Sequence, residues 1–159
     1  MNRAVRDYQW VANVTTPASH YLFGRLNQTT LALTGRVNYT ITPTLSLELY
    51  AQPFLSGGDY SGFKELVDGR NRNYGSRYSP FAYAYDATAN PDFNFKSFRS
   101  TNVLRWEFKP GSTLFVVWQQ GREDTAHNGT LRVGQDLGNL FQVPARNIFL
   151  VKLAYWLNY

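Results

Sequence analysis

An all-β fold is predicted, an antiparallel up-and-down meander of about six strands, and three observations predict it. Two short turns each join runs in which apolar and polar residues alternate with a period of two, the mark of a half-buried strand hairpin. Aromatic residues make up 16% of the 159, with eleven Tyr, eleven Phe and four Trp, a supply suited to pleated surfaces and poor for helices. The last eleven residues place Phe149, Val151, Leu153, Tyr155, Leu157 and Tyr159 on one face and Leu150, Lys152, Ala154, Trp156 and Asn158 on the other, so a strand is expected to run to the terminal residue.

The elements follow in chain order. Tyr8, Trp10, Ala12 and Val14 alternate with Asp7, Gln9, Val11 and Asn13 as the first strand. A run starting near Tyr21 continues into the clearest alternation of the chain: Leu31, Leu33, Gly35, Val37, Tyr39 and Ile41 against Ala32, Thr34, Arg36, Asn38 and Thr40. After the turn Thr42-Pro43-Thr44, Leu45, Leu47, Leu49 and Ala51 alternate with Ser46, Glu48, Tyr50 and Gln52. With position 41 opposite 45, Asn38 opposes Glu48 and Arg36 opposes Tyr50, which makes Arg36 and Glu48 diagonal neighbours. Pro53 cannot donate to a ladder and is expected at the exit of this third strand. The second hairpin sets Leu104, Trp106 and Phe108 beside Leu114, Val116 and Trp118 across Lys109-Pro110-Gly111-Ser112. One domain over 1–159 results, with long links at about 55–92 and 122–146. The first link carries Gly57-Gly58 and, in Phe81, Tyr83 and Tyr85, an additional hairpin; the second has a short helical turn near Gln135–Phe141.

Two architectures accommodate this pattern. In a transmembrane β-barrel, Leu33, Val37, Tyr39, Leu47, Leu49, Trp106 and Trp118 face lipid, while Arg36, Asn38, Glu48, Arg105, Glu107 and Lys152 face a lumen. Short turns then fall on the side of the C-terminus and long links on the other, as in outer-membrane barrels. In a soluble β-sandwich the apolar face meets a second sheet. Phe115, Val117, Leu150 and Trp156, which break the polar character of the inner face, fit that arrangement or a filled lumen. Mean hydropathy is −0.38, and the longest strongly apolar run, Leu114–Trp118, is far below the roughly 20 residues of a spanning helix, but barrel strands leave no such run.

Chemistry is sparse. There is no Cys, hence no disulfide and no thiolate site. His20 and His127 stand apart in expected loops, without the clustered partners of a metal site. No nucleophile elbow, P-loop or dinucleotide fingerprint occurs. Glu48 and Glu107 each have an Arg nearby, which favours ion pairing over acid–base work. No catalytic residue, metal or cofactor is expected, and the protein is read as a non-enzyme. The net charge of +5 admits anionic lipid, lipopolysaccharide or nucleic acid. Arg70, Arg72 and Arg77, interleaved with Tyr74 and Tyr78, form a candidate loop surface for sugar, phosphate or a single strand, against the plainer account of a solvated loop. Nucleic acid is the least favoured of these partners.

The segments LNQTTLALTGRVNYTITPTLSLELYAQPFLSGGDYSGFKEL (26–66), FNFKSFRSTNVLRWEFKPGSTLFVVWQQGR (93–122) and NIFLVKLAYWLNY (147–159) resemble the C-terminal region of the bacterial family known as domain of unknown function 5916. Tyr50-Ala51-Gln52-Pro53-Phe54 and the closing Tyr155-Trp156-Leu157-Asn158 carry most of the likeness. The resemblance implies a signal peptide and a sugar-binding-like β-sandwich preceding a strand-rich region taken as a barrel of the bacterial outer membrane. Neither precedes Asn2-Arg3-Ala4 here, so the chain is expected to be the C-terminal portion of a longer protein, or a fragment. Six strands fall short of the eight of the smallest barrels, so partners are expected in missing N-terminal strands or other copies of the chain. Membrane lipid, lipopolysaccharide, glycans and the outer-membrane assembly machinery complete the expected partners, the last docking on Val151, Leu153, Tyr155, Leu157 and Tyr159. The role expected is structural, passive transport or surface binding, with a soluble carbohydrate-binding sandwich as the alternative.

Overall fold

The computed structural model describes every residue except 16–17, 86–88 and 158–159, and of Arg6 and Asp7 the backbone alone. Strands β1 (Asn2–Val14), β2 (His20–Ala32), β3 (Gly35–Thr42), β4 (Leu45–Leu66), β5 (Tyr78–Pro80), β6 (Phe93–Lys109), β7 (Ser112–Ala126) and β8 (Arg146–Ala154) form one sheet, accompanied among the described residues by an α-helix, α1 (Val133–Gln142), and a 3-10 turn at Tyr74–Arg77. Its order is β1-β2-β4-β6-β7-β8, with β3 and β5 also paired to β4. Because β2 and β3 are two stretches of one run and β5 is a three-residue addition, six long strands follow one another as a meander. The sheet is not closed into a barrel, and β1 and β8 are its edges. The described helix is too short to cross a membrane, which says nothing of strands.

The break between β2 and β3 has a local cause. Leu33 N donates to Pro53 O at 3.1 Å, but Pro53 has no N–H to return the bond, so the ladder lapses for two residues. Pro53 therefore lies inside the 22-residue β4 and not at its exit, and Gly57-Gly58 belongs to the same strand. The expected links contract accordingly, with β4 running to Leu66 and β7 to Ala126.

Contacts sort the described residues into two compact units. Unit 1 comprises Met1–Leu31, Ser56–Phe95 and Thr125–Arg132. Here β1 pairs β2 with bulges between Arg6 and Gln9 and between Trp10 and Ala12. Leu22 and Leu26 are its buried aliphatic side chains. Gly58 makes room for them: a Cβ there would stand 2.6 Å from the Phe93 ring and 2.9 Å from Leu26 Cδ1. At Gly57 a Cβ would stand 3.1 Å from Gly129 O and Leu131 N, so the paired glycines admit close neighbours on both sides of β4. The additional hairpin forms at Tyr78–Pro80, paired to Lys64–Leu66, one step before the Phe81–Tyr85 stretch expected to make it.

Unit 2 comprises Ala32–Leu55, Lys96–Asp124 and Val133–Tyr159. The first hairpin has the expected register: Asn38 opposes Glu48, Arg36 opposes Tyr50, Val37 opposes Leu49 and Tyr39 opposes Leu47. Beside the turn the register slips by one, so that Thr42 and not Ile41 opposes Leu45. The second hairpin turns on Pro110-Gly111, where Gly111 takes φ +78°, a value that glycine adopts without strain. β7 and β8 pair without a shift from Thr113–Ala154 to Gly121–Arg146. β8 ends at Ala154, opposite Thr113, and not at the terminus: beyond it Trp156 N donates to Ser112 Oγ at 3.0 Å in place of a ladder bond, with the indole over Gly111. The helical turn expected at Gln135–Phe141 is α1.

Candidate functional site

Unit 2 carries two faces of opposite character, each generated by strand alternation. On one, Val37, Tyr39, Leu47, Leu49, Leu114, Val116, Trp118, Phe149, Val151 and Leu153 are brought into facing pairs by the registers above. Trp118 and Phe149 stack with ring centroids 6.0 Å apart and planes 5° apart. Trp106 meets Phe108 edge to face, and Phe108 stacks on Tyr155. These residues do not converge into a dry interior. Tyr39 is 61% exposed, Val151 69% and Leu153 62%; Leu33, Val37, Trp106, Trp118, Tyr155 and Leu157 are exposed as well, Leu49 just so, and Leu47 is half-buried. Tyr159 lies outside the described residues. Soluble monomers seldom expose so continuous an apolar surface.

On the opposite face Arg36, Asn38, Glu48 and Tyr50 line a cavity of about 440 Å³ with Thr101 and Val103. Thr101 also lines a cavity of about 570 Å³ with Arg99, Gln119, Gly121, Glu123 and Arg146. Arg99 pairs with Glu123 at 3.1 Å and Arg105 with Glu107 at 3.5 Å. Glu107 Oε1 further accepts from Gly111 N at 3.2 Å, tying the strand to its turn. Arg36 and Glu48 form no ion pair; the Arg36 guanidinium lies 5.6 Å over the ring of Tyr50, which stands directly across and so is nearer than the diagonal Glu48. Lys152 lies 6.0 Å over the Phe115 ring across the β7–β8 ladder. Of the six expected lumen residues, Arg105 and Glu107 form an ion pair, Arg36 and Lys152 lie over aromatic rings, and Asn38 and Glu48 line the smaller cavity.

A third feature lies outside the sequence-based expectations. Lys96 is 2% exposed, and its Nζ stands 2.9 Å from Asp124 and 4.0 Å from Asp136 in the first turn of α1. A cation this deep requires such partners, since an unpaired buried ammonium is costly. Arg122 holds the other end of the helix, its Nη1 donating to Phe141 O at 2.6 Å and Val143 O at 2.5 Å. The available signal was a lysine among the aromatics of Phe93-Asn94-Phe95-Lys96-Ser97-Phe98. Among the described residues the buried apolar side chains are four leucines, Leu22, Leu26, Leu55 and Leu140, outnumbered by the polar Ser56, Asn94, Lys96, Ser97, Ser112 and Asp136.

In unit 1 the expected loop surface is only partly assembled. Tyr74 and Tyr78 lie 5.4 Å apart, and with Tyr8 they surround Lys64 Nζ at 5.5, 3.8 and 3.4 Å from their centroids. Arg77 donates to Asn71 O at 2.7 Å while its guanidinium lies 5.9 Å from the Tyr74 ring centroid, and Arg70 and Arg72 are exposed. His20 is not a loop residue: it opens β2, half-buried, with Nδ1 against the Glu65 carboxylate and its ring 5.1 Å from Phe81. No group of three potential metal ligands occurs among the described residues.

No curated protein and no solved structure matches the chain significantly. The family model described as Domain of unknown function (DUF5916) matches residues 1–159, and the chain belongs to that family.

Proposed function

We infer that this chain supplies strands to a β-barrel of the bacterial outer membrane, its apolar face toward hydrocarbon and its polar face toward a narrow interior. One observation carries the reading: on one face, alternate residues of β3 and β8, with Leu49 of β4 and Trp118 of β7, are apolar and yet exposed, and Leu47, Leu114 and Val116 between them are half-buried. Hydrocarbon is the solvent that such a face suits, and a strand lets its other face stay polar. Supporting it, every described strand belongs to a single sheet, whereas a sandwich needs a second one packed about 10 Å away. The unpaired edges of β1 and β8 suit further strands, from the same protein or from other copies. The exposed aromatics Tyr39, Trp106, Trp118 and Tyr155 suit the membrane–water boundary. Val151, Leu153, Tyr155, Leu157 and the terminal Tyr159 form the stretch offered to the assembly machinery, with lipid and lipopolysaccharide as surroundings. The role is passive transport or surface attachment and not catalysis.

Phosphatidylcholine vesicles and plain buffer test the reading side by side. The expected result is aggregation in buffer, and in vesicles a strand-rich circular dichroism spectrum with β6–β8 protected from protease. A monodisperse, folded monomer in buffer without detergent refutes it.

A further inference from the structure

We propose that the cavity on the polar face of β6, β7 and β8 is a binding site for oxyanions, that is, carboxylate or phosphate groups carried on a polar solute. The proposal deepens the reading of this face as water-bathed by fixing the sign of the charge it accepts. The local backbone sets the geometry. Arg146 stands opposite Gly121 in the unshifted β7–β8 ladder, and a Cβ built at Gly121 meets nothing within 4 Å. Most cross-strand pairs fill the space between them with two side chains, but here one is absent and the guanidinium borders an open volume of about 570 Å³. That volume lies in the size range of small-molecule sites.

The charges inside it do not balance. Glu123 is the carboxylate among the lining residues, and it is engaged by Arg99 at 3.1 Å. Arg146 has no ion-pair partner among the described residues, and the cavity's three guanidinium groups, Arg99, Arg122 and Arg146, face one carboxylate. Of these, Arg122 spends Nη1 on the carbonyls of Phe141 and Val143 at the end of α1, and among the described residues Arg146 is left with its fork uncommitted. Gln119 and Thr101 add neutral groups able to donate to a bound oxygen. The imbalance continues along the face, where Arg36 and Lys152 rest on aromatic rings and not on carboxylates. Guanidinium suits this task because its planar fork matches two oxygens of one carboxylate or phosphate. An excess of one sign along a confined polar surface also concentrates counter-ions of the other sign.

The test is a titration of the full chain with inorganic pyrophosphate at fixed ionic strength, followed by amide NMR in micelles of a polyoxyethylene detergent. A parallel titration in plain buffer applies if the chain proves soluble there, so a failed membrane reading leaves this experiment intact. Saturable shifts are expected at Gln119, Gly121 and Arg146, with citrate competing and sucrose without effect. Arg146→Gln is expected to weaken pyrophosphate about tenfold, as expected for loss of one charge-assisted bidentate contact. Arg146→Lys keeps the charge but loses the fork and should fall between. Gly121→Leu fills the open volume and should abolish binding with Arg146 intact, a second route should the first variant misfold. Arg25→Gln, an exposed cation of unit 1, should change nothing. Equal losses for Arg25→Gln and Arg146→Gln, wild-type affinity in Gly121→Leu, or displacement by sucrose overturns the proposal.

Discussion

Charge placed on successive positions of β4 separates lipid from water as the environment of the apolar face. Leu47 and Leu49 lie on that face, two and four residues from the start of β4 and opposite Tyr39 and Val37; Ser46 lies on the other, opposite Thr40. A strand rising about 3.4 Å per residue and tilted about 40° gains roughly 2.6 Å of depth per residue. Leu47 then sits about 5 Å and Leu49 about 10 Å beyond the turn, and the midplane of an apolar band about 25 Å tall lies near 12 Å. An Arg costs about 2–4 kcal/mol at the midplane and about 0–1 near the boundary. Leu49→Arg should therefore cost about 2–4 kcal/mol, Leu47→Arg about 1–2 and Ser46→Arg less than about 1. In water the order reverses, because Leu49 is the more exposed of the two leucines and loses less burial. Guanidinium unfolding from phosphatidylcholine vesicles, followed by tryptophan fluorescence, measures the three. A larger cost at Leu47 than at Leu49, or an equal cost at Ser46, refutes the assignment of faces.

Three further outcomes are expected. Lys96→Met leaves the buried Asp136 without that cation and should cost about 3–5 kcal/mol in denaturant midpoint analysis, partly recovered by adding Asp136→Asn; an unchanged midpoint would mean the pin carries no load. Gly58→Val drives a branched side chain into Phe93 and Leu26 and should cost about 1–3 kcal/mol, whereas Gly138→Ala, inside α1 with open space around it, should gain about 0.5–1 kcal/mol; thermal melts of the two should move in opposite directions. Pro53→Ala supplies the missing N–H opposite Leu33, so the new amide should exchange slowly with deuterium as β2 and β3 join, and fast exchange would show that the break has another cause.

Most of the strand pattern was legible because alternation is written residue by residue. The facing pairs Asn38–Glu48 and Arg36–Tyr50 follow from a period of two and the position of a turn, whereas the Trp118–Phe149 register, set across a long link, does not. Strand ends were not legible where a partner's length decides them. β4 continues through Pro53, Gly57 and Gly58 because β2 and β6 extend alongside it, and β8 stops at Ala154 because the Ser112 hydroxyl takes the Trp156 N–H in place of a ladder bond. Turn chemistry alone would end the first and prolong the second. The Lys96 pin lay beyond sequence reasoning for another reason: Asp124 and Asp136 lie 28 and 40 positions away, and no local periodicity links them. The tyrosines around Lys64 were half legible, since Tyr74 and Tyr78 sit four residues apart but Tyr8 arrives from β1.

The apolar face and the sheet edges make separate demands, and the distribution of polar side chains shows why one environment does not satisfy both. A water-soluble sheet gains most of its stability by hiding its apolar face against a second layer. Here the fully buried positions are mainly polar, including a lysine that needs two carboxylates, while leucine, valine and tryptophan remain on the exposed face. Hydrocarbon relieves that face but leaves the backbone groups along the outer sides of β1 and β8 without partners, and in lipid each such group costs more than in water. Lipid alone is therefore not a stable resting place for these strands, and additional strands alone leave the greasy face wet. On the proposed membrane reading the two requirements have to be met together, so insertion is tied to the pairing of the edges: vesicle insertion should rise with protein concentration, or with added neighbouring strands, faster than in simple proportion.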